Sequence, residues 1–371
     1  MLMTEKNKKN CDSCRFCWMC HHICPIGNAT GQERNTARAR MLGVSLVNRN
    51  AIELPEIMDN IYECAGCGGC TSVCVTGWDP VSVTRETRMN AAIEGLLPLY
   101  IQTLVEHCLA EGNAYGKTEL NAALAGKIRA HSEKTETLLY LGTDARFMAP
   151  EEAMKAIRVL EKAGIRFTLL ENEPDSGAQL SFLIGDAQET VDAMRKAEQA
   201  AAGYQTVVFY DPQDLKTLTQ TARELGLDGV QGAISFPRYL SGLLQNGKLT
   251  AQKTGKEVVY QDPFQLARDL GETEEAREVI SAYANLSEML LNRKETVWAG
   301  NILMAQYIPD VIKKVADRRL SNVRSIGKKA IVTASVSENA ALKNAGVADM
   351  EILSLEDLIL NCEGESSCLC L

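Results

Sequence analysis

Beyond residue 136 the chain alternates short apolar runs with amphipathic stretches. Leu138-Leu139-Tyr140-Leu141, closed by Gly142, predicts a buried strand. Pro150 and Glu151 then open a segment in which Met154, Ile157, Val159 and Leu160 form a helical stripe, with Gly164 as its stop. Arg166-Phe167-Thr168-Leu169-Leu170 predicts the next strand, and Asp186 after Gly185 predicts a helix cap. A repeat follows: Val207-Val208-Phe209-Tyr210-Asp211-Pro212 and Val258-Val259-Tyr260-Gln261-Asp262-Pro263 each read as a strand that runs into Asp-Pro and a helix. The Asp suits the cap and the Pro the first helical position. Ala330-Ile331-Val332-Thr333-Ala334, followed by Ser335 and Ser337, has the same shape. Strands alternating with helices pair in parallel, which predicts two α/β lobes over 137–250 and 251–371. The stretch from Glu111 to Glu136 is polar, with helical spacing at Leu120, Leu124 and Ile128, and predicts a helical linker over 106–136.

The first 105 residues show no such alternation and read as helical. Asp79-Pro80 predicts a cap and first residue of a helix. This region carries ten basic and ten acidic side chains, so the whole formal charge of −9 lies in the rest of the chain. That acidity argues against a nucleic-acid partner, which needs clustered Lys and Arg. No apolar run approaches the ~18 residues of a membrane span, so no transmembrane segment is expected. The start, Met1 to Asn10, is polar and lacks an apolar signal core, which predicts a cytoplasmic protein.

Cysteine placement changes the picture most. Nine of 13 cysteines fall in the first 74 residues. In a long chain without a signal sequence they read as metal ligands rather than disulfides. Cys14, Cys17, Cys20 and Cys24, and again Cys64, Cys67, Cys70 and Cys74, follow the C-x2-C-x2-C-x3-C spacing of 4Fe–4S clusters. Three cysteines two residues apart offer thiolates to three irons of one cube, and the fourth ligates the cluster of the other motif. One cluster is therefore expected on Cys14, Cys17, Cys20 and Cys74, the other on Cys64, Cys67, Cys70 and Cys24. Gly66, Gly68 and Gly69 let the second loop wrap closely, and Phe16, Trp18 and Ile23 supply apolar cover. A zinc site would use paired C-x2-C elements without a third and fourth cysteine in register. The 39 residues between Cys24 and Cys64, basic at Arg34, Arg38 and Arg40 and apolar from Met41 to Val47, leave room for helices and predict an all-helical two-cluster ferredoxin-like domain over 1–105. Cys11 reads as a spare thiol near the clusters, and Cys108 as a buried apolar residue. His21 and His22 read as loop-surface residues. Cys362, Cys368 and Cys370 match no known ligand spacing.

The run Cys24-Pro25-Ile26-Gly27, then Gly31-Gln32-Glu33 and Ala37-Arg38-Ala39-Arg40, resembles the iron–sulfur subunits of glycolate and lactate oxidases and of heterodisulfide-reductase-like complexes. The resemblance implies a helical cluster domain followed by two α/β lobes carrying cysteine-rich CCG motifs. It also implies a flavoprotein dehydrogenase partner, with a ferredoxin or quinone as a further electron carrier. Every lobe thiolate is missing here: Asp175-Ser176-Gly177, Asp211-Pro212-Gln213-Asp214, Asp262-Pro263-Phe264, Val297-Trp298-Ala299 and Ser335-Val336-Ser337 stand where the pattern expects cysteines. The lobes then cannot carry clusters at those positions and read as scaffolds for docking. The expected role is a non-catalytic electron-transfer subunit with two 4Fe–4S clusters. The alternatives are a self-contained iron–sulfur reductase whose lobes bind substrate, and a scaffold stapled by its clusters. No G-x-G-x-x-G or Walker loop supports a nucleotide bound by this chain itself.

Overall fold

The structure, a computed structural model, describes residues 3–361, so Cys362, Cys368 and Cys370 lie outside the described residues. From Met3 to Ala130 the described backbone holds helices and turns and no strand. Its longer helices are Ala37–Asn48, Pro80–Ile93 and Leu99–Glu111. Each start has a local cause. Thr36 caps the first, and Asp79 caps the second by accepting from the N–H groups of Val81 (3.1 Å) and Ser82 (3.3 Å). Met41, Val44, Ile61, Tyr62 and Val83 fill a common core that also takes in Cys11 and Cys108. The predicted linker helix is present as Ala122–Ala130.

Two parallel sheets follow. The first joins β1 (Thr137–Tyr140), β2 (Thr206–Phe209) and β3 (Ala233–Ser235) in that order. The second joins β4 (Glu257–Gln261), β5 (Asn285–Ser287), β6 (Ala330–Thr333) and β7 (Glu351–Ser354) in the order β5-β4-β6-β7. Leu139 lies opposite Val208, and Val259 opposite Ile331. Helix Pro150–Lys162 has the expected stripe, and one continuous core runs from Leu139, Ile157 and Val208 to Val258 and Val332. No helix among the described residues is long and apolar enough to cross a membrane.

Three local expectations are corrected. Arg166–Leu170 is not a strand: only Thr168 pairs with β1, donating its N–H to the Thr137 carbonyl (2.8 Å) and accepting from Leu139 N–H (3.0 Å), while Leu169 N–H donates to the His131 carbonyl (2.8 Å). Asp211 caps its helix by accepting from Gln213 N–H (2.8 Å), but Asp262 does not cap one. Its carboxylate faces the buried Arg277 guanidinium at 2.6 Å and accepts from Arg293 N–H at 2.8 Å. A buried charge pair of that kind outcompetes a terminal N–H. Asp186 is likewise no cap, since it pairs with Arg85.

Leu139 is fully buried between the sheet and helix Pro150–Lys162, whereas Leu290 is 90% exposed. Leu139→Ala is expected to cost about 2–5 kcal/mol, and Leu290→Ala less than about 0.5 kcal/mol, read from denaturant midpoints followed by circular dichroism.

Candidate metal centres

The two cysteine loops share one backbone path. In each, the residues two and four positions after the first cysteine take left-handed φ: Phe16 (54°) and Trp18 (67°) in the first loop, Gly66 (64°) and Gly68 (70°) in the second. Only the second loop supplies glycine there. A side chain in that region costs roughly 1–2 kcal/mol. In the first loop the Arg38 guanidinium stacks 3.8 Å from the Trp18 ring centre, a contact that offsets part of this cost. The equivalent N–H groups also do equivalent work: Phe16 donates to Cys14 Sγ and Gly66 to Cys64 Sγ, both at 3.4 Å. Gly27 N–H donates to Cys24 Sγ at 3.4 Å, where Pro25 starts a short helix.

The fourth cysteine of each motif crosses to the other loop. Cys24 joins Cys64, Cys67 and Cys70 around one cavity, and Cys74 joins Cys14, Cys17 and Cys20 around another. Each cavity also holds a buried N–H donor without a hydrogen-bond partner: Arg40 Nη2 beside the first quartet and Trp78 Nε1 beside the second. Burial, then the neighbouring thiols Cys67 and Cys64, pushes the Cys70 thiol well above its ordinary value. Burial alone would raise Cys74 too, but the Thr76 hydroxyl at 3.2 Å and nearby backbone N–H groups hold it lower. Among the described residues, no three Cys, His, Asp or Glu side chains gather around one point as a single ion such as zinc requires. A four-iron cube makes no such demand, because each thiolate meets a different iron. Four thiols and a spare N–H donor per cavity fit a thiolate-bound, anionic cluster.

Cys11 borders neither cavity. It is buried, faces the Met41 carbonyl at 3.2 Å, and burial pushes its thiol up to about 12. His21 stands half-exposed, 3.8 Å from Glu33, and His22 is exposed. Sequence reading missed two arginines that hold the second loop. Arg88 donates to the carbonyls of Ile61 (2.9 Å), Cys64 (2.7 Å) and Phe182 (2.8 Å), and Arg268 donates to those of Cys67 (2.9 Å) and Thr296 (2.6 Å).

Residues 9–78, which contain both quartets, match the 4Fe–4S dicluster domain family. Over 84% of its length the chain is similar to the D component of dihydromethanophenazine:CoB–CoM heterodisulfide reductase from Methanosarcina mazei (24% identical) and Methanosarcina acetivorans (26%), covering 83% of each. The same component from Methanosarcina barkeri is 24% identical over 76% of both chains. Along most of its length the chain is similar to heterodisulfide reductase D components, and its first part carries the 4Fe–4S dicluster pattern.

In this heterodisulfide-reductase-like chain the lobe positions where cysteines were expected come together. Asp175, Asp211, Asp214, Phe264, Trp298 and Ser335 line one cavity, which touches Ala65 of the second cysteine loop. Two further carboxylates, Asp144 and Glu338, join them, and neither stands out in the sequence. Glu338 is hidden there as the third residue after a cap: its N–H donates to Ser335 Oγ (3.3 Å) while its side chain turns to the cavity. Neither Glu338 oxygen has a hydrogen-bond partner of good geometry. Burial, only partly offset by Gln261, Arg319 and the Ala299 N–H, pushes Glu338 up to about 8. Burial, then Asp144, raises Asp211 to about 7.

A carboxyl raised in the fold keeps its proton there after the unfolded chain has released it. Stability therefore falls as pH rises from about 4.5 to about 8 for Glu338. Glu338→Gln is expected to be more stable than the parent at pH 8, with an advantage that shrinks toward pH 5 by at most about 1.4 kcal/mol per unit. Thermal midpoints across that range check it, and parallel curves for parent and variant would contradict it.

Proposed function

We propose that this chain relays single electrons through two 4Fe–4S clusters, one held by Cys14, Cys17, Cys20 and Cys74, the other by Cys64, Cys67, Cys70 and Cys24. The observation that carries the reading is the crossing of the fourth cysteines into two separate four-thiol cavities, each with an unpartnered buried N–H. When bound, such a cluster accepts and gives up one electron at a time. The chain's part is to anchor it with thiolates, to direct N–H groups and Arg40 at its negative charge, and to keep water from the inner site. The two cavities differ in exposure: Cys17 is exposed, whereas Cys24 and Cys67 are buried against the lobes. Trp18, Met19 and Val75 ring the outer cavity as exposed apolar side chains, and Phe16, in the same loop, is exposed as well. That patch supports docking of the partner over the outer cluster. The relatives are named as components of a reductase, and the partner proposed here is a flavoprotein, with ferredoxin or quinone at the other end. The proposed organisation is a cluster domain over 1–105 and two CCG-like lobes, 137–250 and 251–371, without their cysteines.

Anaerobic preparations are expected to hold about eight irons per chain, to bleach with dithionite and to co-purify with a flavoprotein. Zinc alone, or substrate turnover by the isolated chain, would overturn the relay. Cys17→Ser is expected to lose iron and Cys108→Ser to retain it, since Cys108 sits in the helical core away from both cavities. The left-handed positions give a second test: Gly68→Val should lower iron retention, whereas Trp18→Gly should keep the iron. Equal iron in all four variants would remove the ligand assignment.

A further inference from the structure

The acidic cavity lies at the carboxyl ends of strands from both sheets: Asp144 follows β1, Asp211 and Asp214 follow β2, Phe264 follows β4, and Glu338 follows β6. In open parallel sheets that end is where ligands bind. Five of its lining residues are carboxylic acids, and none is Lys, Arg or His. Several acids are answered from within the fold. Asp144 accepts from the Tyr115 hydroxyl (2.5 Å) and Gln179 (3.0 Å), Asp175 from Thr143 (2.9 Å), and Asp214 from Ser176. Glu338 is 2% exposed, and neither of its oxygens has a hydrogen-bond partner of good geometry, with Gln261 and the Ala299 N–H only nearby. Gln265 donates its amide to Gln213 (2.9 Å), which leaves its own Oε1 without a partner at the same cavity.

The wall therefore presents a set of buried carboxyl groups and a free amide oxygen with no cationic partner among the lining residues, and unsatisfied buried polar groups are costly. A fitting occupant brings positive charge and several N–H donors. A bare metal ion is disfavoured, because no three acids gather around one point among the described residues. The faces of Phe182 and Phe264 are already covered by Arg88 and Arg268, at 4.2 and 5.6 Å, so an aromatic cage for a quaternary ammonium is not built here.

We propose that this cavity binds a small organic amine in its protonated form, with N–H donors directed at Glu338, Asp211 and the Gln265 carbonyl oxygen. The site stands whether or not the clusters relay electrons. Contact with Ala65 places its ligand beside the second cysteine loop.

The test uses the full chain purified anaerobically at pH 7.5, with calorimetry and thermal midpoints. The probes are propylammonium, putrescine, tetramethylammonium, propan-1-ol, MgCl2 and MnCl2. Propylammonium or putrescine is expected to bind at one site per chain and to raise the midpoint with concentration, while tetramethylammonium and propan-1-ol leave it unchanged. Glu338→Gln should weaken amine binding at least tenfold and Gln265→Leu several-fold, both with unchanged iron content. Glu133→Gln, at a side chain 85% exposed, should bind as the parent does. No saturable amine binding, a response to Mg²⁺ or Mn²⁺ alone, or equal binding by parent and Glu338→Gln would overturn the proposal. Iron content, read on the same samples, reports separately on the clusters.

Discussion

Arg88 lies buried between the rings of Tyr62 and Phe182, its guanidinium 4.9 and 4.2 Å from their centres, and its donors reach three backbone carbonyls. One of these, at Cys64, begins the second cysteine loop, and another, at Phe182, belongs to the first lobe. Arg268 repeats the arrangement from the second lobe by holding the Cys67 carbonyl. The loop that must present three sulfurs is thus pinned from both sides by planar, permanently charged groups. Lysine has a single ammonium and could not span those carbonyls in one plane. With its carbonyls turned to the arginines, the loop keeps N–H groups such as that of Gly66 for sulfur.

The same clamp joins the charge-balanced helical region to the acidic lobes. Tyr62 donates to the Leu183 carbonyl at 2.6 Å, and Tyr307 donates back to the Tyr62 carbonyl at 2.9 Å. Cys24, Cys67, Phe264 and Trp298 share one apolar cluster, so the inner thiol cavity and the acidic cavity are neighbours through a common wall. The molecule runs from an exposed apolar rim, past two thiol cavities, to a buried set of carboxylates. That order gives a partner an outer point of contact and shields the inner one.

The positions where the sequence pattern expected cysteines are not bland. Acids, amides and hydroxyls occupy those places, and Gly142 shows how closely they pack, since a Cβ there would collide with Asp214 Oδ2. A site built from acceptors recognises a different class of partner from one built from thiolates. It also places a pH-dependent cost on the fold, because each raised carboxyl binds its proton more tightly when folded.

Much of the cluster region was legible in the sequence because its information is local. Two-residue spacing along a covalent chain fixes which sulfurs can share a loop, and Asp79-Pro80 or Ser335 with the residues after it sets a helix start within one turn. Four parallel strands, β1, β2, β4 and β6, were readable from apolar runs, whereas β3, β5 and β7 were not, and Arg166–Leu170 was read as a strand it does not form. Asp262 and Asp186 show where that reading stops: Asp262 sits in the same Asp-Pro step as the capping Asp211 yet pairs with Arg277, and Asp186 pairs with Arg85. The arginine clamps and the acidic cavity were decided by tertiary structure alone. They depend on which strand ends meet and which side chains are shut away from water together, and no spacing along the chain encodes those distances.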